Sequence, residues 1–260
     1  MNYQIAVHTD VGIQKETNQD SCCIKQAATD KGNVLMALLC DGMGGLAKGE
    51  VASASIIKRF CDWFEQELPR LLATEDPLAQ VGTRWDQIIK ELNDSIAIYG
   101  GRLGIQLGST ISVMLILEDN RFLIGHVGDS RVYLFGEGTM AQLTEDQTVV
   151  AREIKLGRLT PEQAAVDPRR NVLLQCVGAS RLVDPAFYQG VAAPGQCFML
   201  CSDGFRHVIT PEELYNAMAP SQNPDEATMT QHLVDLTELN KYRNENDNIT
   251  AMLIKTVQEV

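Results

Sequence analysis

The sequence has few residues arranged as zinc ligands or as a disulfide framework. Its 260 residues include four histidines and seven cysteines, and no two cysteines form a C-x-x-C pair. An odd number of cysteines without such pairs argues against a zinc site and against a set of disulfides. Most of the cysteines stand in apolar segments, so we expect them to be buried free thiols.

Long apolar runs are also missing from the sequence. The longest, Val34–Cys40 and Ile111–Leu117, are far shorter than the ~20 residues that a membrane-spanning helix needs. Met1 to Asp10 contain no basic segment followed by an apolar stretch, which argues against a signal peptide and predicts a cytoplasmic protein. The formal net charge of −12 gives no general attraction to nucleic acids or anionic membranes.

No repeat, low-complexity tract or linker interrupts the chain, so we predict a single domain over residues 1–260. Apolar residues at helical spacing predict helices at Glu50–Leu72 and around Trp85–Tyr99, the second ended by Gly100-Gly101. Further helices are predicted to begin near Pro211 and Asp225. Short apolar segments predict strands at Tyr3–Thr9, Val34–Cys40, Thr110–Leu117, Arg121–Val127, Arg131–Phe135, Cys197–Cys201 and Ile249–Lys255. Strands joined by short turns, with helices in separate blocks, favour a layered α+β fold over βαβ winding.

One stretch departs from this pattern. Residues from about 144 to 178 mix charges, small residues and two prolines, with a short helical piece at Pro161–Ala165. Long excursions of this kind often serve as binding loops or lids. We therefore predict a flap at about residues 144–178.

Four aspartates stand beside glycine or asparagine next to predicted strands: Asp41, Asp129, Asp203 and Asp247. A carboxylate at a strand end is aimed into a cleft from a rigid scaffold, and glycine beside it lets backbone and ligand approach closely. Carboxylates that converge repel one another unless a hard cation such as Mg²⁺ or Mn²⁺ binds between them. Any single Asp-Gly pair is more often only a turn, but the ordered set favours a metal site.

Ten segments in order across nearly the whole chain resemble the metal-dependent protein phosphatases, also called protein phosphatase type 2C, and particularly their bacterial branch. The matching segments are Thr9-Asp10-Val11-Gly12, Asn18-Gln19-Asp20, Asp41–Gly45, Gly49-Glu50 with Ala52-Ser53, Gly108-Ser109-Thr110, Val127–Arg131, Leu143-Thr144 with Asp146, Pro194-Gly195, Cys201–Gly204 and Asp247-Asn248-Ile249-Thr250. The resemblance implies a four-layer αββα sandwich, in which helices flank two central antiparallel sheets and the flap covers the active-site side.

The resemblance also implies a reaction, which is hydrolysis of phosphoserine and phosphothreonine by a metal-activated water at a centre of two Mn²⁺ or Mg²⁺ ions. In such a site Asp41 would bridge the two ions and position the hydroxide, and the carbonyl of Gly42 would bind one of them. Asp203 and Asp247 would bind the other ion, with Asp20 close by, directly or through water. Asp129 would bind a third, weaker ion shared with Asp203.

Three positions near this site depart from the family pattern. Lys15 stands where the family typically has a phosphate-binding arginine. Lysine can contact phosphate as a point charge but lacks the bidentate fork, and an exposed surface lysine is the competing interpretation. Gln19 stands where many members have glutamate, which removes one negative charge. Met43 replaces a histidine proposed as general acid in eukaryotic members, although bacterial members often have methionine there.

Two other functions stay open at this level. A catalytically silent module could keep the fold and bind a phosphoprotein, but it would be expected to have lost at least one of the metal aspartates. A phosphohydrolase acting on a small metabolite would carry the same site. For the phosphatase we expect phosphorylated proteins as substrates, an opposing Ser/Thr kinase as counterpart, a monomeric chain, and neither a nucleic-acid partner nor a membrane span.

Overall fold

The structure, a computed structural model, describes residues 1–30, 32–44 and 48–258. Gly45, the last residue of the glycine-rich segment that begins at Asp41, lies outside the described residues. The strands are β1 (Asn2–Asp10), β2 (Asp20–Thr29), β3 (Gly32–Gly44), β4 (Leu107–Ser109), β5 (Ile111–Ile116), β6 (Arg121–Val127), β7 (Arg131–Gly136), β8 (Thr139–Gln142), β9 (Ala186–Val191), β10 (Cys197–Cys201) and β11 (Ile249–Val257). The helices are α1 (Gly49–Gln66), α2 (Leu68–Leu71), α3 (Pro77–Leu103), α4 (Val149–Lys155), α5 (Pro161–Ala165), α6 (Asp203–Arg206), α7 (Pro211–Met218) and α8 (Glu226–Tyr242), with a 3₁₀ turn at Pro220–Gln222.

The strands form two antiparallel sheets. The first has the order β1-β11-β10-β7-β8, and the second has the order β2-β3-β5-β6-β9, with β4 pairing to β3. Every pairing within both sheets is antiparallel. The predicted hairpin of β5 and β6 is present, with Ile111 opposite Val127.

Three apolar layers explain why the two sheets stack and why helices cover them. Alternate residues of each strand point to opposite faces, so every strand serves two layers. The layer between the sheets contains Leu35, Leu39, Met114, Phe198 and Met252, all fully buried. The outer face of the second sheet packs on α1 and α3, and that of the first on α6, α7 and α8. The predicted αββα sandwich is therefore confirmed.

Two helix boundaries differ from those predicted. The helix expected over Glu50–Leu72 ends at Gln66, and the short α2 follows with Pro69 in its first turn. Proline has no backbone N–H to donate, so it fits the first turn of a helix but not its interior. Gly100-Gly101 does not end α3, which continues to Leu103. Its C-cap is Gly104, whose φ of 67° is the left-handed conformation that glycine adopts readily.

The flap region contains two short helices, α4 and α5, between the Leu143 end of the first sheet and the start of β9. A bridge between Thr148 and Leu173 closes this excursion on itself, and a second bridge joins Val177 to Ser109. Across the described ranges 1–30, 32–44 and 48–258, no helix is both long and apolar enough to cross a bilayer.

Candidate active site

The layer between the sheets changes from apolar to polar at one end. On β3, Leu35, Ala37 and Leu39 face this layer, and Asp41 continues the same alternation. On β2, Cys22 and Ile24 face it, and Asp20 is in phase with them. Other inward positions of the same end are hydroxyl or imidazole side chains, all of them buried: Thr110, Ser112, His126, Ser130, Ser202 and Thr250. A buried polar basin therefore closes this end of the sandwich.

Asp20 and Asp41 lie directly opposite each other in the antiparallel pairing of β2 and β3. Directly opposed residues of such a pair carry their side chains on the same face, and like charges in that arrangement repel. Asp20 is 9% exposed. The strand register thus places two carboxylates side by side in the basin.

The backbone of Asp41 is fixed by the Ser109-Thr110 segment. The Asp41 N–H donates to Thr110 Oγ1 at 2.9 Å, and the Thr110 N–H donates to the Asp41 carbonyl oxygen at 2.9 Å. The Ser109 hydroxyl donates to the same carbonyl at 3.0 Å. Thr110 Oγ1 also lies 2.8 Å from Ser130 Oγ. This contact links the residue before β5, in the second sheet, to the residue before β7, in the first sheet. These contacts give the Gly108-Ser109-Thr110 segment a positioning role.

Gly42 continues β3 because its backbone is packed against two other segments. Its N–H donates to the Gln19 carbonyl at 3.1 Å. A Cβ at Gly42 would lie 2.4 Å from the carbonyl oxygen of Gly49 at the start of α1 and 2.5 Å from that of Gln19. Only glycine fits this close approach, so the expected role of Gly42 depends on backbone contact rather than on a turn.

Asp203 and Asp247 approach from the first sheet. Asp203 is the first residue of α6, and only Ser202 separates it from the end of β10. Asp247 precedes β11, the neighbour of β10 in the sheet. A Cβ on Gly204 would lie 2.2 Å from the carbonyl oxygen of Asn248, so the two segments touch through their backbones. This contact brings the predicted ligand pair together.

Sequence reasoning assigned Asn248 no role of its own beyond its place in the Asp247-Asn248-Ile249-Thr250 segment. In the structure its side chain connects the loop before β2 to the start of β11. Its Nδ2 donates to the carbonyl oxygens of Val11 at 2.9 Å and Thr17 at 3.2 Å, and its Oδ1 accepts from the Gln19 N–H at 2.8 Å. This amide therefore fixes the segment that contains Lys15.

Lys15 lies at the rim of the aspartate group. Its Nζ is 2.8 Å from Asp247 Oδ1, and its side chain is 40% exposed. Partial burial lowers the pKa of Lys15, but the hydrogen bond and charge of Asp247, with Asp41 and Asp203 behind it, raise it above its ordinary value. The structure thus places Lys15 against the aspartates, although this position does not by itself establish contact with a phosphate.

The electrostatic field at Asp20 and Asp41 favours the protonated forms of these two carboxyls. Burial and then the Asp203 and Asp247 carboxylates raise the pKa of Asp20 to about 7, against the lowering effect of the Thr250 and Ser202 hydroxyls. Burial and then Asp20, Asp203, Asp129 and Asp247 raise the pKa of Asp41 well above its ordinary value. Burial and the neighbouring carboxylates thus disfavour the ionised forms of Asp20 and Asp41, and a bound cation would reverse this effect.

Unpartnered oxygen atoms mark where such a cation would fit. Within the described ranges, both carboxylate oxygens of Asp20 and Oδ1 of Asp203 are buried without a hydrogen-bond partner. Buried polar atoms normally have partners, and hard divalent ions prefer carboxylate oxygens. In the same part of the chain, no three His, Cys, Asp or Glu side chains already have the spacing of a formed metal site. The aspartate side chains are therefore close together, but they would have to move toward one another to bind an ion.

Asp129 differs from the other aspartates because an arginine contacts it. Arg206 Nη2 donates to the Asp129 carbonyl oxygen at 2.9 Å and lies 3.7 Å from Asp129 Oδ2. Burial and then Asp203 raise the pKa of Asp129 to about 7, while the Arg206 charge opposes the rise. Sequence reasoning gave no role to Arg206, because its partners lie far away in the chain.

His207 is a second residue without a predicted role. Its Nε2 is 3.4 Å from Asp203 Oδ2, and its Nδ1 is 3.4 Å from Glu245 Oε2. Glu245 in turn accepts from the backbone N–H of Asp247 at 3.0 Å. His207 therefore links the segments that carry Asp203 and Asp247. Its position four residues after Asp203 was the one sequence signal for this contact.

A large open cleft lies between the aspartates and the flap region, with a volume of about 1330 Å³. Lys15, Asp129 and Asp247 line it on one side, and residues of α4 and α5 line it on the other. A cleft of this size admits a side chain together with flanking peptide. The basin therefore opens onto a surface that an extended substrate could reach.

Comparisons with known proteins agree with this arrangement. The family model of protein phosphatase 2C matches residues 12–244. A serine/threonine phosphatase named stp from Listeria welshimeri is 29% identical over 248 residues, covering 95% of this chain and 93% of that protein.

Solved structures show the same fold over the full length. The serine/threonine phosphatase of S. agalactiae has a TM-score of 0.84 at 27% identity and covers 98% of this chain and 100% of that one. The catalytic domain of the phosphatase PstP in complex with two manganese ions has a TM-score of 0.78 at 28% identity, with coverage of 98% and 99%.

Proposed function

Because the chain belongs to the protein phosphatase 2C family, we propose that Asp41, Gly42, Asp203 and Asp247 form the metal site of a protein serine/threonine phosphatase. The enzyme is a phosphoric monoester hydrolase that acts on phosphoserine and phosphothreonine in proteins. The buried, unpartnered carboxylate oxygens of Asp20 and Asp203 are the observation that carries the assignment of the site. A silent module would have no reason to retain such a group.

Two divalent ions fit this donor set, with Mn²⁺ and Mg²⁺ as the candidates because its donors are oxygens. When bound, such a pair supplies activation of water and stabilisation of charge on the phosphoryl oxygens. Asp41 would bridge the ions in our proposal, since it faces Asp20 across the β2–β3 pair and the charges of Asp203, Asp129 and Asp247 also act on it. Asp203 and Asp247 would hold one ion, the Gly42 carbonyl would hold the other, and Asp20 would support them.

The chain's own residues have three further tasks. Ser109 and Thr110 hold the Asp41 backbone, so that its carboxylate keeps its direction during the reaction. Asn248 holds the loop that carries Lys15. Lys15 would exchange its pairing with Asp247 for contact with the substrate phosphate, as a point charge rather than a bidentate fork.

The surroundings of Asp129 do not fit a third ion in the same way. A guanidinium already contacts both the carbonyl and the carboxylate of Asp129. The site proposed here therefore contains two ions and does not include the third ion expected at Asp129.

The experiment is a metal-dependent phosphatase assay with Asp41→Asn as the matched control. We expect the purified protein to hydrolyse phosphothreonine and phosphoserine peptides with Mn²⁺, to stop when a chelator is added, and to recover when Mn²⁺ is restored. A rate with Mn²⁺ no higher than that of Asp41→Asn would refute the proposal. A faster reaction with small phosphorylated metabolites than with any phosphopeptide would favour the metabolite hydrolase instead.

We further propose a monomeric cytoplasmic enzyme opposed by a Ser/Thr kinase. Phosphoprotein substrates require such a kinase, and the cleft is completed within one chain by the flap region. Size-exclusion chromatography with light scattering measures the mass of the particle in solution. A mass twice that calculated for one chain would contradict the monomer.

A further inference from the structure

Arg206 is a nearly buried arginine beside Asp129. The Arg206 side chain is 11% exposed, and that of Asp129 is 8% exposed. Its Nη2 is held at 2.9 Å by the Asp129 carbonyl oxygen, with Oδ2 of Asp129 at 3.7 Å and Oδ2 of Asp146 at 3.6 Å. Water therefore screens this charge little, and the hydrogen bond to the Asp129 carbonyl holds it between two carboxylates.

The neighbouring charges leave Arg206 as the cation for Asp129. Arg131 already forms a bidentate pair with Asp146, with both nitrogen-to-oxygen distances at 2.7 Å. Two arginines thus face two carboxylates, so Asp129 has a cationic partner without a metal ion. An arginine does not lose its proton in proteins, so this positive charge is permanent.

A divalent ion shared by Asp129 and Asp203 would have to bind next to this guanidinium. Arg206 is also the last residue of α6, the helix that Asp203 begins. A permanent charge so close to the ion would repel it strongly in a poorly hydrated site. We propose that Arg206 serves as a fixed cation in place of a third metal ion at Asp129, so that this enzyme binds two divalent ions and not three.

This inference rests on the two-ion centre proposed at Asp41, Asp203 and Asp247. Its test is the number of Mn²⁺ ions bound by the full-length protein after removal of metals, measured by calorimetric titration and by equilibrium dialysis with metal analysis. Two ions per chain are expected for the wild type up to millimolar Mn²⁺. In Arg206→Gln a third ion should bind about tenfold more tightly or better than in the wild type.

Two further variants separate charge from structure. Asp129→Asn in the Arg206→Gln background should abolish the third ion. Arg170→Gln is the matched control, because Arg170 lines the same cleft but is exposed, and it should still bind two ions. Arg206→Lys keeps a cation and should also bind two ions, which gives a folded comparison if Arg206→Gln loses its thermal unfolding transition.

The outcomes distinguish the two proposals. Three ions in the wild type, with the third lost in Asp129→Asn alone, would overturn the role of Arg206 and leave the two-ion centre standing. A folded Arg206→Gln that still binds only two ions would overturn it as well. A wild type that binds no Mn²⁺ would remove the two-ion centre and this inference together.

Discussion

Replacing Asp20 by asparagine should stabilise the metal-free protein at alkaline pH. Asp20 is 9% exposed, and both of its carboxylate oxygens lack hydrogen-bond partners among the described residues. Burial and neighbouring carboxylates raise its pKa from 3.8 to about 7. Asparagine has a similar shape and no charge, so it removes the repulsion while keeping the volume.

The sign and size follow from proton linkage. Between the unfolded and folded pKa values, the folded protein keeps the Asp20 proton that the unfolded chain has lost. The free energy of unfolding therefore falls as pH rises through this window. A rise from 3.8 to about 7 corresponds to at most about 4 kcal/mol above pH 7. At pH 5 only the first part of this loss has occurred, so the benefit of Asp20→Asn should be smaller there.

Manganese should reduce the advantage of Asp20→Asn over the wild type. Binding to the folded state adds about 2.7 kcal/mol at a hundredfold excess over the dissociation constant. Asp20→Asn should gain less, because it has lost a carboxylate beside the ions. The assay is urea unfolding followed by fluorescence of Trp63 and Trp85, both fully buried, with chelator or Mn²⁺ at pH 5 and pH 8.

Asp235→Asn is the control, since Asp235 is exposed on α8 and a surface change of this kind is usually within about 0.5 kcal/mol. Lower stability of Asp20→Asn in chelator at pH 8 would refute the argument. An equal gain at both pH values would also refute it, because a gain without pH dependence cannot come from an ionisable group.

Lys15→Ala should mainly raise KM for phosphopeptides, and Lys155→Ala, an exposed lysine of the same cleft, should leave it unchanged. A collapse of kcat at constant KM would instead place Lys15 in the transition state. Asp247→Asn should weaken Mn²⁺ binding and lower the rate together, and full activity would break its assignment as a ligand. Gly42→Ala should destabilise the fold by about 2 kcal/mol or more, because the new Cβ would lie 2.4 Å from the Gly49 carbonyl. Gly101→Ala, within α3 and with nothing within 4 Å of its Cβ, should be neutral or stabilising in the same thermal unfolding measurement.

Most of the predicted strands are mainly apolar, and strands with polar residues in their middle were the harder ones to predict. β2 contains Lys25 and Gln26 in its middle and was not predicted, because its strand pairing comes from β3 rather than from its own pattern. β3 was expected to end at Cys40 but continues to Gly44. Pairing with β4 and the packing of Gly42 extend it beyond the apolar run, despite the low strand propensity of glycine.

The candidate site divides in the same way. Asp41, Asp203 and Asp247 were accessible from sequence because each stands in a short motif beside a strand. Arg206 and His207 were not, since tertiary structure brings Asp129 to Arg206 and Glu245 to His207. For Arg206 that partner, Asp129, is 77 residues away in the chain. Composition and periodicity carry no signal for such a pair.

Strand register connects the core with the chemistry. Leu35, Ala37 and Leu39 direct alternate residues of β3 into the layer between the sheets, and the same alternation carries Asp41 into the polar basin. A slip of one residue would turn Asp41 toward α1, on the face where Cys40 packs. It would also separate Asp41 from Asp20, its partner across the β2–β3 pair. The apolar residues of the inner layer thus do more than stabilise the sandwich, because they select the register in which the carboxylates meet.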